Sequence, residues 1–290
     1  MKFDGRALAQ RIFHKLSGKI KNLEIKPHLV VILVGENPVW EAYVRQKKKR
    51  GEEIGAKVTI DQQKEFITTP ELIKVIEKHN NDRGVHGIII QRPLPPQIDG
   101  QAIALAVAPA KDVDGFHPDS PHPMPVADAV MKILKEIQGN NQEFNKWLNS
   151  KNIVVIGKGE TAGGPIISAL EKLGNTPKVI DSQTKNPELL TKNADILISC
   201  VGKESVVTQE MLKKGLPANR QGAILIGVGL HKDNQGKLAG DYDENEIKDI
   251  AAFYTPVPGG VGPVNVACLL ENLVGACLAE SRRACLKQQK

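Results

Sequence analysis

Leu29 to Val34 is an unbroken apolar run. A run of that kind is expected as a strand in a parallel sheet, buried on both faces beneath helices. The surrounding sequence repeats the pattern. Asp4 is a plausible cap for a first helix, with Leu8, Ile12, Phe13, Leu16 and Ile20 on one face. Asn37-Pro38 opens a second helix, Asn capping and Pro taking the first helical position. Lys57 to Ile60 reads as a second strand, and Thr69-Pro70 caps a third helix ending near Asn80-Asn81. Val85 to Gln91 is a third strand, stopped by Arg92-Pro93. This β-α-β-α-β rhythm predicts a parallel sheet with right-handed crossovers.

The rhythm pauses and resumes. Lys111 to Pro125 is rich in Pro, Asp and His and reads as a functional loop, followed by an amphipathic helix over 127–137 and a polar loop over 139–145. Strands are expected at Asn152–Ile156, Lys178–Asp181, Asp195–Cys200 and Ala223–Val228, with a helix over Pro165–Leu173. Asn234-Gln235-Gly236 marks a hairpin within His231–Asp241. Thr255 to Pro263 is a Pro/Gly loop, and a long helix runs from Val264 to Ala284. The fold class is therefore α/β with two domains, the second a Rossmann-type doubly wound sheet.

Composition removes several functions. No unbroken apolar run reaches the roughly 18 residues of a membrane span, and the N-terminal residues lack the apolar stretch of a signal peptide. Cys200, Cys268, Cys277 and Cys285 form no C-x-x-C pair and read as reduced, packed thiols, which implies a cytoplasmic location. The balance of 39 basic and 33 acidic residues is only mildly positive. Its densest run, Lys47-Lys48-Lys49-Arg50, lacks the interleaved aromatics of a nucleic-acid face, and an anionic small ligand explains the modest positive balance equally well, with Lys48, Lys49 and Arg50 read as a solvated helix edge. No His/Asp/Glu cluster has metal-ligand spacing.

Two groups of residues carry chemistry. Gly157-Lys158-Gly159-Glu160-Thr161-Ala162 fits G-x-G-x-x-A between a strand and a helix, where backbone N–H groups can meet a pyrophosphate. Asp181 ends the next strand. An acid there favours the ribose hydroxyl of NAD, while Lys158 favours the extra phosphate of NADP, and the residues alone leave both open. In the first half, Tyr43 and Lys47 are one helical turn apart and share a face. Gln91 ends a buried strand, where polar groups face a ligand crevice. Of Asp112 and Asp114, one turns the loop and the other is available to a ligand.

Six ordered segments now point to one family. Gly35-Glu-Asn-Pro38 with Tyr43-Val-Arg-Gln-Lys47, Gly87-Ile-Ile-Ile-Gln91-Arg-Pro-Leu-Pro95 and Lys111-Asp-Val-Asp-Gly-Phe-His-Pro118 come first. Ala194-Asp195 to Gly202-Lys203, Gly236-Lys-Leu-Ala-Gly-Asp241 and Thr255-Pro-Val-Pro-Gly-Gly-Val-Gly-Pro263 follow. The chain resembles the bifunctional methylene-tetrahydrofolate dehydrogenase/methenyl-tetrahydrofolate cyclohydrolase family over nearly its whole length. The resemblance implies a homodimer that acts on tetrahydrofolate derivatives, with NADP as cofactor and NAD as the other candidate. It implies Lys47 as the catalytic lysine, Tyr43 along the pterin and p-aminobenzoate side, Gln91 setting the protonation of Lys47, and Asp114 anchoring the pterin. Pro258, Gly259 and Gly260 would form the far wall. Gly157, Lys158, Gly159, Glu160, Thr161, Gly163, Asp181, Ser182 and Gly202 would hold the nucleotide. The folate domain would comprise residues 1–120 and 264–290, and the nucleotide domain 121–263.

The chain also departs from the family. His122-Pro-Met-Pro-Val-Ala-Asp128 replaces a Pro-Cys-Thr-Pro-x-Gly-like segment, Gly159 a Ser, Thr161-Ala162 an Ile-Val pair, and Asp181-Ser182 a His-Ser pair. Gly227 stands for an Asp, Val264-Asn265 for Met-Thr, and Trp40 for a small polar residue. The alternatives are an enzyme with one activity left, the cyclohydrolase being the one retained, and a folate- or nucleotide-binding protein without turnover.

Overall fold

A computed structural model describes residues 1–36, 38–139, 143–213 and 222–288, with the backbone alone for 38–42 and 284–288. Its contacts separate two compact units: Gln10–Pro125 with Val266–Lys290, here the first unit, and Met1–Ala9 with Val126–Asn265, the second. The elements before residue 110 are α1 (Gly5–Lys21), β1 (His28–Val34), α2 (Pro38–Glu53), β2 (Lys57–Gln63), α3 (Thr69–Asn81), β3 (Gly87–Ile90) and α4 (Gly100–Ala106). Then come α5 (Pro125–Gln138), α6 (Phe144–Asn149), β4 (Ile153–Ile156), α7 (Gly163–Lys172), β5 (Lys178–Ile180), α8 (Glu188–Thr191), β6 (Ile196–Ser199) and β7 (Ile224–Gly227). The chain closes with β8 (His231–Lys232), β9 (Leu238–Ala239), α9 (Glu244–Ile247), β10 (Phe253–Tyr254) and α10 (Val261–Gln288).

The first unit holds a parallel sheet in the order β2-β1-β3. Leu29 to Val34 are all buried in its central strand, as the apolar run requires. On one side Val30 and Ile32 pack with Leu72, Ile76, Ile88 and Ile103. Each such aliphatic side chain contributes about 1.5–3 kcal/mol on burial. The cap of α3 is Thr68, not Thr69: the Thr68 amide donates to Glu71 Oε2 at 2.8 Å, so Pro70 falls inside the first turn, where no N–H is missed. The far end of α3 is closed by Lys111, whose Nζ donates to the carbonyls of His79, Asn80 and Asp82 at 3.1, 2.8 and 2.6 Å. A cation on exposed helix-end carbonyls is favourable. The expected cap Asn37 lies outside the described residues.

The second unit holds a parallel sheet in the order β10-β7-β6-β4-β5. The chain leaves β4 for β5 on one side and returns to β6 on the other. The carboxyl ends of β4 and β6 therefore flank the reversal point where such sheets bind ligands. The residues before α1 extend this sheet: Phe3 N donates to Tyr254 O at 2.8 Å and Tyr254 N to Met1 O at 3.0 Å. β8 and β9 form the expected antiparallel hairpin. Short elements such as α4, α6, α8, α9 and β10 escaped the periodicity, since one or two turns carry too few apolar repeats to register. Part of the expected loop over 139–145 (140–142) lies outside the described residues, and the rest passes into α6 at Phe144.

The long terminal helix begins at Val261, inside the expected loop. Its stretch Val261–Arg283 is long and apolar enough to cross a membrane by length and composition, with a mean hydropathy of 1.5. No unbroken apolar run marks it in the sequence, because Asn265, Glu271 and Asn272 interrupt the stretch. Most of it is buried inside the protein, as in a core helix.

Candidate active site and dinucleotide crevice

Lys47 reaches Gln91 from α2. Its Nζ donates to Gln91 Oε1 at 3.0 Å, and Gln91 Nε2 donates to Arg92 O at 2.8 Å, which turns the amide so that its oxygen faces the lysine. The Gln91 amide donates to Ile32 O at 2.9 Å, one residue past β3. The last rung of the sheet thus fixes where the lysine's partner stands. Tyr43 lies one turn earlier on α2, half-buried. Burial pushes the Lys47 ammonium below the usual lysine range, and the charge of Asp114 opposes that shift. Burial pushes Asp114 up, countered by Lys47 and Arg92 and reinforced by Asp112.

The two aspartates differ in their partners. Asp112 is buried and accepts from the amides of Gly115 and His117 at 3.0 and 2.7 Å, so it turns the loop. Both aspartates line a small recess with Ile90, Arg92, Ile103 and Phe116, and of the two it is Asp114 whose charge faces Lys47. Arg92 stacks over the Phe116 ring at 4.2 Å and donates to Gly100 O at 3.1 Å. Arg92 and Phe116 were not singled out from the sequence; a cation directly after a strand-end Gln was the available signal. The remaining basic run is a solvated helix face, with Lys48, Lys49 and Arg50 set against Glu52 and Glu53.

In the second unit the glycine turn has the shape a dinucleotide needs. Gly157 has φ +88, and a Cβ on Gly163 would stand 1.9 Å from the Gly157 carbonyl oxygen. Gly163 is therefore the close-approach glycine, and α7 starts there, ahead of the expected Pro165. A Cβ at Gly159 would meet nothing within 4 Å, so the backbone at the centre of the turn borders open space. A pyrophosphate fits such a cradle. Lys158 and Asp181 do not act apart: Lys158 Nζ lies 2.8 Å from Asp181 Oδ2. The lysine, with Gln183 N and Thr184 Oγ1, brings Asp181 down to about 2. The Gly202 amide is engaged by Asp241 at 2.7 Å. Glu160 and Thr161 are exposed on the turn, and Ser182 is exposed beside Asp181.

Gly227 has a local explanation. A Cβ there would lie 2.8 Å from the Tyr242 ring, whose hydroxyl donates to Thr255 O, while Thr255 Oγ1 accepts from Gly227 N at 2.8 Å. Tyr242 occupies the space that a side chain at 227 would need. Pro258, Gly259 and Gly260 belong to this unit as well; Gly259 has φ +116, and a Cβ on Gly5 would stand 2.0 Å from Gly260 O. They seat the start of α1.

A parallel-sheet unit with a glycine turn at its reversal point, and another α/β unit centred on a half-buried lysine, define a two-domain dinucleotide-binding α/β enzyme. The comparisons narrow this class. Residues 3–114 match the catalytic domain of tetrahydrofolate dehydrogenase/cyclohydrolase, and residues 125–281 its NAD(P)-binding domain. The chain is 38% identical to the bifunctional protein FolD of Streptococcus pyogenes over 293 aligned positions, covering 97% of this chain and 98% of that one. The FolD methylenetetrahydrofolate dehydrogenase/cyclohydrolase of Campylobacter jejuni superposes with a TM-score of 0.87 at 35% identity, over 98% of this chain and 99% of that one. The methylenetetrahydrofolate dehydrogenase-cyclohydrolase of Trypanosoma brucei, solved with NADP and an inhibitor, superposes at 0.84 with 30% identity over 98% of each. The chain belongs to the tetrahydrofolate dehydrogenase/cyclohydrolase family.

Proposed function

We propose that this protein oxidises 5,10-methylene-tetrahydrofolate to 5,10-methenyl-tetrahydrofolate with NADP and hydrolyses the product to 10-formyl-tetrahydrofolate. The observation that carries the reading is the Lys47–Gln91 hydrogen bond at a strand end, in reach of the Asp114 charge. NADP, when bound, supplies the hydride acceptor. The glycine turn, with Gly157, Lys158, Gly159, Glu160, Thr161 and Gly163, would hold it, along with Asp181, Ser182 and Gly202. The protein's task in that step is alignment.

Hydrolysis asks more of the side chains. Water adds to the cationic methenyl carbon, and a proton must reach the ring nitrogen whose C–N bond opens. A lysine below its usual range can hold that proton at Nζ and release it more readily than a solvated lysine. Gln91 orients the amine through its own bond to Arg92 O. Asp114 would anchor the pterin, Tyr43 would flank the p-aminobenzoate, and Pro258, Gly259 and Gly260 are further folate contacts on the family resemblance alone. On the same footing the domains divide as 1–120 with 264–290 and 121–263, although residues 1–9 pack with the second unit, and the protein is a cytoplasmic homodimer. Light scattering tests the last point.

Purified protein mixed with 5,10-methylene-tetrahydrofolate and NADP, followed for nicotinamide reduction and methenyl decay, tests the whole reading. Reduction followed by decay is expected. Decay of supplied methenyl-tetrahydrofolate without any reduction by NADP or NAD would leave only the cyclohydrolase.

A further inference from the structure

Asp241 sits at the end of the β8–β9 hairpin, fully buried. Four donors converge on its carboxylate. Ser199 Oγ donates at 2.6 Å and Val201 N at 3.0 Å to Oδ2; Gly202 N donates at 2.7 Å and Lys203 N at 3.0 Å to Oδ1. The neighbouring backbone makes way for it: a Cβ on Gly229 would stand 2.2 Å from Oδ2. The Asp241 carbonyl accepts from Val207 N at 2.9 Å, so the residue is itself fixed.

Three consecutive amides converging on one carboxylate dictate the path of the chain leaving β6. That path matters because β6 and β4 flank the reversal point of the sheet. A Cβ on Gly157 would meet Cys200 O at 3.0 Å and Val201 Cγ2 at 3.3 Å, so the segment leaving β6 lies directly against the glycine turn. We infer that Asp241 is a positioning residue: it moulds residues 200–203 into one wall of the dinucleotide crevice, without touching the nucleotide. Charge-assisted hydrogen bonds to backbone amides give that wall a single shape before the ligand arrives.

The inference rests on the function proposed above, and the two activities of that function supply its control, since hydrolysis of methenyl-tetrahydrofolate consumes no nucleotide. Asp241→Asn keeps the size of the side chain and replaces one acceptor oxygen by an NH2 group facing the amides. The expected result is a rise of about tenfold or more in the Kd and KM for NADP, with kcat and the hydrolysis of supplied methenyl-tetrahydrofolate within about twofold of wild type. Ser199→Ala, which removes one donor and leaves the carboxylate, should shift NADP binding the same way by about threefold. Unchanged NADP binding in Asp241→Asn would overturn the inference, as would an equal fall in both activities. Should Asp241→Asn fail to fold, unchanged NADP binding in Ser199→Ala overturns it. Wild-type protein that binds neither NADP nor NAD would overturn the proposed function and this inference with it.

Discussion

Lys158 Nζ and Asp181 Oδ2 stand 2.8 Å apart, joining the turn after β4 to the end of β5. Each residue argues for a different nucleotide when taken singly, and the ion pair makes them rivals for one another. Lys158→Ala should weaken NADP more than NAD. Asp181→Ser should release Lys158 and raise the preference for NADP by about tenfold, the scale of one charge-assisted contact. Titration calorimetry with both nucleotides measures this, and equal effects of Lys158→Ala on the two would remove Lys158 from any phosphate contact.

The same pair has a pH signature. Asp181 titrates at about 2 in the folded protein, against an ordinary 3.8. A depressed carboxylate contributes stability that is fully present above the unfolded pKa and lost as pH falls through the folded one, here from 3.8 toward 2. In Lys158→Ala the Asp181 carboxyl resonance should titrate closer to 3.8, since the lysine is the largest cause of the shift. An Asp181 titration left at about 2 in that variant would show that Gln183 and Thr184 hold it alone.

Lys47 lies below its usual range because its ammonium is partly desolvated. Methenyl hydrolysis should therefore reach its upper limb below pH 10.5. Lys47→Met should lower hydrolysis by about 10² to 10⁴, the usual worth of a proton-transfer group. Lys47→Arg should do the same, because a guanidinium does not release its proton. Hydrolysis at the original rate in either variant would remove Lys47 from the proton transfer.

Gln91 accepts from the charged form of Lys47, so Gln91→Leu withdraws support from the ammonium. The pH–rate profile for hydrolysis should move to lower pH, with a loss of about tenfold in rate from lost orientation. A profile that keeps its position would mean that burial alone tunes the lysine.

Tyr242 fills the space beside Gly227. Gly227→Ala should destabilise the protein by about 1–3 kcal/mol through overpacking. Adding Tyr242→Val should recover part of that loss, and a double-mutant cycle in urea measures the coupling. Strictly additive effects would mean that the two positions do not compete for space.

Much of the architecture was legible because it depends on periods written into the chain. The buried run at Leu29–Val34 and the runs that became β4, β6 and β7 are apolar stretches of strand length, and the turn at Gly157 announced itself by spacing between a strand and a helix. The spacing of Tyr43 and Lys47 selected one face of α2, while Thr68 rather than Thr69 proved to be a cap because Glu71 folds back on it.

What the sequence determined, then, was local: which segments alternate, where glycine is required, which face of a helix carries the lysine. Tertiary structure alone decided the partners. Asp112 turns the loop and Asp114 faces Lys47, Lys111 closes α3, Lys158 is bound to Asp181, and Asp241 holds residues 199–203. Hydrophobic period and backbone propensity act over a few residues and can be read along the chain. Hydrogen bonds and ion pairs between distant segments depend on distances that exist only after those segments have packed.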